Sequence, residues 1–132
     1  MINDYPKELL YTQAHVWVRN ETKGKKRIAR IGITEELANR LRGLLGVDMP
    51  MVGDELEIDA PCLHFHRQTS IHDLPAPLTG RVLEINRDVL DTPSLLALEP
   101  YRHWLYCMEY DELEELDMLM NAHQYATFLD TL

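Results

Sequence analysis

Lysine is absent from most of this chain, because none occurs after position 26. The chain has 132 residues, and its lysines are Lys7, Lys23, Lys25 and Lys26. Chemistry that depends on a lysine amine is therefore excluded from residues 27–132.

Cysteine is also scarce. Cys62 and Cys107 are the only two, too few and too widely separated for a disulfide framework or a Cys-x-x-Cys metal site. We expect both to be reduced thiols, as is usual in a reducing compartment.

Positive charge is in short supply, with 13 Lys and Arg against 22 Asp and Glu and a formal net charge of -9. Because binding along nucleic acid requires a basic face that displaces counterions from phosphates, we expect no nucleic-acid partner. The same charge disfavours acidic membranes, and no apolar run approaches the roughly 20 residues that span a bilayer. Residues 1–5 lack the basic and apolar regions of a secretory signal. These absences favour a cytoplasmic protein without a membrane partner.

Common catalytic motifs are missing as well. The sequence contains no nucleophile elbow, no phosphate-binding loop and no His-Glu-x-x-His motif. We therefore expect this protein not to be an enzyme.

The length and the 45% hydrophobic content suit one ordinary core, so we expect residues 1–132 to form a single domain. Short runs in which apolar and polar residues alternate predict strands through the first two thirds of the chain. The predicted strands include residues 15–19, 28–33, 47–50, 52–58, 80–86 and 103–108. The polar segment 23–26 predicts a hairpin turn between the first two.

Helices are predicted at two places. Thr34 is a suitable N-cap for a helix whose leucine stripe begins at Leu37. The C-terminal part changes to helical spacing after Asp111, and Asn121 is a suitable cap for a final helix.

Six local patterns occur in the order found in one known family. They are Tyr11-Thr12 before His15 and Trp17-Val18, Ile31-Gly32-Ile33-Thr34, Val47-Asp48-Met49-Pro50, Val52-Gly53-Asp54-Glu55, Ala76-Pro77-Leu78-Thr79-Gly80, and Pro100-Tyr101 before Trp104-Leu105. In this order they resemble the H-protein of the glycine cleavage system, and they span nearly the whole chain. The resemblance implies a mainly β, lipoyl-domain-like barrel-sandwich hybrid of two small sheets, with an inserted helix and C-terminal helices.

In that family, a Glu-Ser-Val-Lys-Ala motif at a hairpin tip carries lipoic acid on its lysine. Counting back from Ala76 without gaps aligns Thr69 with this lysine. The corresponding tip of this chain is Arg67, Gln68, Thr69 and Ser70. A threonine hydroxyl cannot form the amide, and the guanidinium of Arg67 is not an acylation target at neutral pH. The resemblance therefore implies a member without lipoate or another cofactor, which binds proteins of the glycine cleavage or lipoate-handling type.

Histidines precede this tip. His64 and His66 lie two residues apart on a predicted strand, so their side chains share a face, and Cys62 would share it too. Imidazole combined with a carboxylate or a thiolate suits zinc and similar metals. A metal site at His64 and His66 with Asp73 or Cys62 is the alternative function, against which stands the simpler interpretation of surface or core histidines.

The third metal ligand depends on the register of the predicted hairpin. A turn centred between Thr69 and Ser70 places Asp73 opposite His66, whereas a turn centred on Thr69 places His72 there. The sequence is compatible with both registers.

A third hypothesis is a small thiol enzyme that uses Cys62 and His64. The two residues alternate on one predicted strand, but no further residue of the sequence is placed to orient the histidine as a catalytic triad requires. A non-lipoylated binding or regulatory module is the function that we expect first, followed by the metal-binding module.

Overall fold

The computed structural model describes residues 5–132, which form nine strands and five short helices. The strands are β1 (Leu10–Tyr11), β2 (Val16–Asn20), β3 (Ile28–Ile33), β4 (Gly46–Asp48), β5 (Glu55–Leu56), β6 (Pro61–His66), β7 (Ile71–Pro75), β8 (Gly80–Ile85) and β9 (Tyr106–Tyr110). The helices are α1 (Glu35–Arg40), α2 (Arg87–Asp91), α3 (Leu95–Leu98), α4 (Leu113–Asp117) and α5 (Ala122–Asp130). None of these described helices has the length and apolar content needed to cross a membrane.

Two antiparallel sheets make up the β structure. The larger has the strand order β1-β2-β3-β9-β8-β5, and the smaller has the order β4-β6-β7. Helices lie between and after the strands. The prediction of a mainly β barrel-sandwich hybrid of two sheets with added helices is confirmed.

The two sheets share one hydrophobic core. Ile31 and Met108 of the larger sheet and Leu63, Phe65 and Leu74 of the smaller one are all fully buried in the same cluster. Because side chains alternate across a strand, burying Leu63 and Phe65 turns His64 and His66 toward the outer face. The core therefore determines which side chains of β6 are available for function.

Helix α1 begins where the sequence predicts it. The Thr34 side chain accepts a hydrogen bond from the backbone N–H of Leu37, and Leu37 is buried. The helix ends at Arg40, and Gly43 follows in the left-handed region with φ 80°. This early end leaves residues 41–45 as a connection that leads to the smaller sheet.

The C-terminal helical pattern is interrupted once. Tyr11 and Met120 exchange both backbone hydrogen bonds at 2.8 Å, which separates α4 from α5. Asn121 then caps α5 in a reciprocal capping box with Gln124, so the predicted cap is confirmed.

Several predicted boundaries are wrong. The strand expected at 15–19 begins one residue later because His15 has φ 66°, a left-handed conformation that does not continue a strand. Only Glu55–Leu56 of the segment 52–58 is a strand, since Gly53 turns the chain with φ 92°. Helices α2 and α3 were not predicted, and β9 begins only at Tyr106.

Candidate functional site

The β6–β7 hairpin ends in a tight turn at residues 67–70. The N–H of Arg67 donates to the carbonyl of Ser70 at 2.9 Å, which leaves Gln68 and Thr69 as the two central residues. All four side chains of the turn are exposed. Thr69 thus lies at the outermost point of the hairpin.

The register of this hairpin differs from both predicted registers. Opposite residues are His66 and Ile71, Phe65 and His72, and His64 and Asp73. Asp73 therefore faces His64 and not His66, and His72 faces Phe65. The physical reason is the two-residue loop, which centres the turn between Gln68 and Thr69 and not at or after Thr69.

The outer face of the smaller sheet carries two histidine–aspartate pairs. Nδ1 of His64 lies 2.6 Å from Oδ1 of Asp73 on β7. On the other side of β6, Nε2 of His66 is in close contact with Oδ2 of Asp48 on β4. Asp48 was not among the predicted site residues, because only the pairing of β4 with β6 brings it there. Since all four side chains are substantially exposed, each pair is worth at most about 1 kcal/mol.

Cys62 does not join the histidines. The pairing of β6 with β7 is irregular between Pro61 and Leu63, and Sγ of Cys62 lies 3.4 Å from the buried hydroxyl of Tyr106. Burial raises the pKa of the Cys62 thiol, and the hydrogen bond with Tyr106 offsets only part of that effect. Because the thiolate is the reactive form, this environment opposes the activated thiol that a Cys62–His64 enzyme would need.

The predicted metal ligands are not assembled into one set. Within residues 5–132, no group of three His, Cys, Asp or Glu side chains is placed to hold a metal ion. His64 contacts Asp73 of β7, whereas His66 contacts Asp48 of β4. Cys62 contacts Tyr106 instead. A structural metal site normally needs four ligands around one point.

A small open cavity adjoins the hairpin tip. It has a volume of about 240 Å³ and is lined by Arg42, Gly43, Arg67, Gln68, Thr69 and Ser70. Arg42 comes from the connection after α1, so its place beside Arg67 could not be read from sequence spacing. No acidic side chain is among the lining residues.

A second polar cluster lies inside the protein. The Tyr125 hydroxyl is 2.8 Å from Nδ1 of His15 and 2.8 Å from Oγ1 of Thr34. All three residues are buried, and burial, aided by the charge of Arg40, lowers the pKa of His15. This cluster attaches α5 to the larger sheet and the start of α1.

Comparisons with known proteins agree with this architecture. A model of the family described as "Glycine cleavage H-protein" matches residues 9–132. The glycine cleavage system H protein of Bacillus licheniformis is 37% identical over 125 residues, which is 94% of this chain and 95% of the relative. That of Photorhabdus laumondii is 33% identical over 130 residues, 98% of each chain.

A solved structure extends the likeness to three dimensions. The crystal structure of a glycine cleavage system H protein from Mycobacterium marinum superposes with a TM-score of 0.79 at 28% sequence identity. The match covers 97% of this chain and 100% of that chain. The resemblance seen in the sequence is thereby confirmed, and this chain belongs to the glycine cleavage H-protein family.

Proposed function

We propose that this protein is a member of the glycine cleavage H-protein family that carries no lipoate. In this proposal it acts in the cytoplasm as a non-catalytic binding or regulatory module toward proteins of the glycine cleavage or lipoate-handling type. It does not transfer a group itself.

The observation that carries the proposal is the position of Thr69. This residue is central in the exposed turn of the β6–β7 hairpin, where the resemblance to the family places the lipoyl lysine. Residues 27–132 contain no lysine to replace it. Lys23 and Lys26 pair with each other across the β2–β3 turn, which belongs to the larger sheet and not to the sheet of the tip.

The rest of the molecule supports a binding role. Both sheets, the capped helix α1 and the C-terminal helix α5 are present and well packed. A chain that has the family's fold but no lipoyl group would bind a partner's surface without delivering a substrate. Such a protein would act on the pathway by competition or by scaffolding.

Intact mass tests the absence of lipoate. The protein is co-expressed with a lipoate-attaching enzyme and lipoic acid, beside the Bacillus licheniformis relative as the positive control. We expect the mass of this chain to equal that of its sequence, while the relative gains one lipoyl group. A lipoyl gain on the wild-type chain would contradict the proposal. The Thr69→Lys variant tests whether the amine is the only missing requirement. If this variant also gains no lipoyl group, the residues next to position 69 prevent attachment as well.

Binding and competition test the module role. A purified aminomethyltransferase of the glycine cleavage system is titrated with this chain and, separately, with the lipoylated relative. We expect this chain to bind with a Kd within about tenfold of the relative's, roughly 1.4 kcal/mol, and to slow a reconstituted glycine cleavage reaction that uses the relative. Absence of binding to that protein and to the lipoate-attaching enzyme, under conditions in which the relative binds, would remove the proposal's support.

A further inference from the structure

Two arginines at the hairpin tip have no partner within the described part of the chain. The side chains of Arg42 and Arg67 make no hydrogen bond or ion pair with any of residues 5–132, although both line the same cavity. Most other arginines of the protein are paired; Arg81, for example, lies 3.3 Å from Glu109. Arg87 also lacks a partner among the described residues, but it does not line this cavity. In a chain with 22 acidic residues, two adjacent unpaired arginines form a local basic site on an acidic molecule.

The backbone holds this site together. The N–H of Leu45 donates to the carbonyl of His66 at 2.8 Å, so the connection that follows α1 runs beside the last residue of β6. Arg42 stands at the start of that connection, and Arg67 directly follows His66. Two segments far apart in sequence thereby each contribute an arginine to the lining of one cavity.

Two exposed apolar residues lie on the same two segments as the arginines. Leu45 is 67% exposed, and Ile71, which lies opposite His66 on β7, is 62% exposed. We call Arg42, Leu45, Arg67 and Ile71 together the tip surface. Large exposed apolar residues beside unpaired charges are typical of a surface that is covered in a complex.

We propose that the tip surface binds an acidic surface of a partner protein, whose Asp or Glu carboxylates enter the cavity between Arg42 and Arg67. This inference rests on the proposed function and identifies the chemistry of the partner. Arginine presents a planar fork of donors that matches a carboxylate.

A protein fits this surface better than a free anion does. The cavity is open and its residues are exposed, and exposed ion pairs contribute little on their own. A protein partner would also cover Leu45 and Ile71, which a free anion would leave in water. The basic tip on an otherwise acidic molecule would in addition orient the approaching partner.

Charge reversal at the tip tests the inference. Fluorescence anisotropy measures binding of a labelled peptide composed of glutamate and leucine to the full chain. We expect the Arg42→Glu/Arg67→Glu variant to bind at least about tenfold more weakly, and the wild-type affinity to fall as salt rises. The matched control is Lys23→Glu/Lys25→Glu, which makes the same charge change at the exposed β2–β3 turn and should weaken binding less than about threefold.

Three results would overturn the inference. They are no binding of the peptide, equal loss in the tip and control variants, and saturation by inorganic phosphate at the same concentration as by the peptide. Circular dichroism checks that each variant is folded, and Arg42→Gln/Arg67→Gln provides a milder version of the same change. Self-association of the wild type that disappears in the tip variant would assign the surface to a second copy of this chain and likewise overturn the inference.

The inference and the proposed function can fail separately. If the tip variant binds the aminomethyltransferase as well as the wild type does, the tip surface is not the docking site, but the module role stands. If the wild type gains a lipoyl group, the proposed function fails whatever the peptide does.

Discussion

The side chain of Thr69 lacks the amine of a lysine, and no neighbouring group can supply that amine. A hydroxyl does not form an amide, however it is placed, so the exposure of Thr69 at the turn does not compensate for the missing amine. The structure adds that the neighbouring cations, Arg42 and Arg67, are guanidinium groups. They are suited to binding carboxylates and unsuited to acylation.

His15 shows how a buried titratable residue links pH to stability. It has φ 66°, is 6% exposed, and contacts the Tyr125 hydroxyl. Burial lowers the pKa of His15 in the folded protein, while the unfolded chain should titrate near the ordinary value of about 6.5. Below that value the unfolded state binds more protons than the folded state does, so the free energy of unfolding contributed by His15 decreases as the pH falls.

The variant His15→Asn tests this effect, because asparagine tolerates the left-handed conformation and does not titrate. Urea unfolding is followed between about pH 7.5 and about pH 5.5, the range over which histidine titrates. We expect the wild type to lose more stability across this range than the variant does. Parallel pH profiles for the two proteins would show that His15 does not titrate differently on folding.

At the level of single elements, α5 is held in place by the capping box at its start and by the packing of Tyr125. The Asn121 side chain accepts a 2.8 Å bond from the backbone N–H of Gln124, and the Gln124 side-chain oxygen accepts a 2.8 Å bond from the backbone N–H of Asn121. Tyr125, fully buried, then anchors the helix against β1, where its ring stacks on Tyr11 at 4.7 Å between centroids.

Replacing the cap should loosen this helix. We expect Asn121→Ala to lower the free energy of unfolding by about 1 kcal/mol. The control is Glu112→Ala, because Glu112 occupies the N-cap position of α4 without making a capping hydrogen bond. Chemical denaturation measures both, and an equal loss in the two variants would argue that the capping box contributes nothing specific.

The β6–β7 hairpin is the element that the sequence predicts least well. A register is well determined when one face of each strand is buried, but Ile71, His72 and Asp73 of β7 are all exposed. Only Leu74, which is buried opposite Leu63, ties the strand to the core. The position of Asp73 relative to the two histidines depends on this register, so the sequence does not determine which histidine it faces.

For the whole molecule, the shared core makes the two sheets depend on each other. Phe65 of the smaller sheet is fully buried in the cluster that also contains residues of the larger sheet. Both tryptophans lie outside the smaller sheet: Trp17 is on β2 and Trp104 just precedes β9. If residues 1–132 are one domain, a substitution at Phe65 should therefore also lower the stability of the larger sheet, which the tryptophans report.

We expect Phe65→Ala to lower the free energy of unfolding by about 3 to 5 kcal/mol through the cavity it leaves. Tryptophan fluorescence and far-UV circular dichroism should report the same shifted midpoint. Ile71→Ala, on the exposed side of the same hairpin, should change stability by less than about 0.5 kcal/mol. Two separate transitions, with only one affected by Phe65→Ala, would contradict the prediction of a single domain.

Sequence alone was enough to predict the family, the two-sheet fold, the caps at Thr34 and Asn121 and the absence of an amine at position 69. These follow from local patterns and from side-chain chemistry, neither of which needs a partner from elsewhere in the chain. The three-dimensional packing, in contrast, is what brings His66 to Asp48, Cys62 to Tyr106, and Arg42 to the cavity that Arg67 also lines. Each of these contacts joins segments that are distant in sequence, so it depends on strand pairing and core packing that periodicity and spacing do not contain.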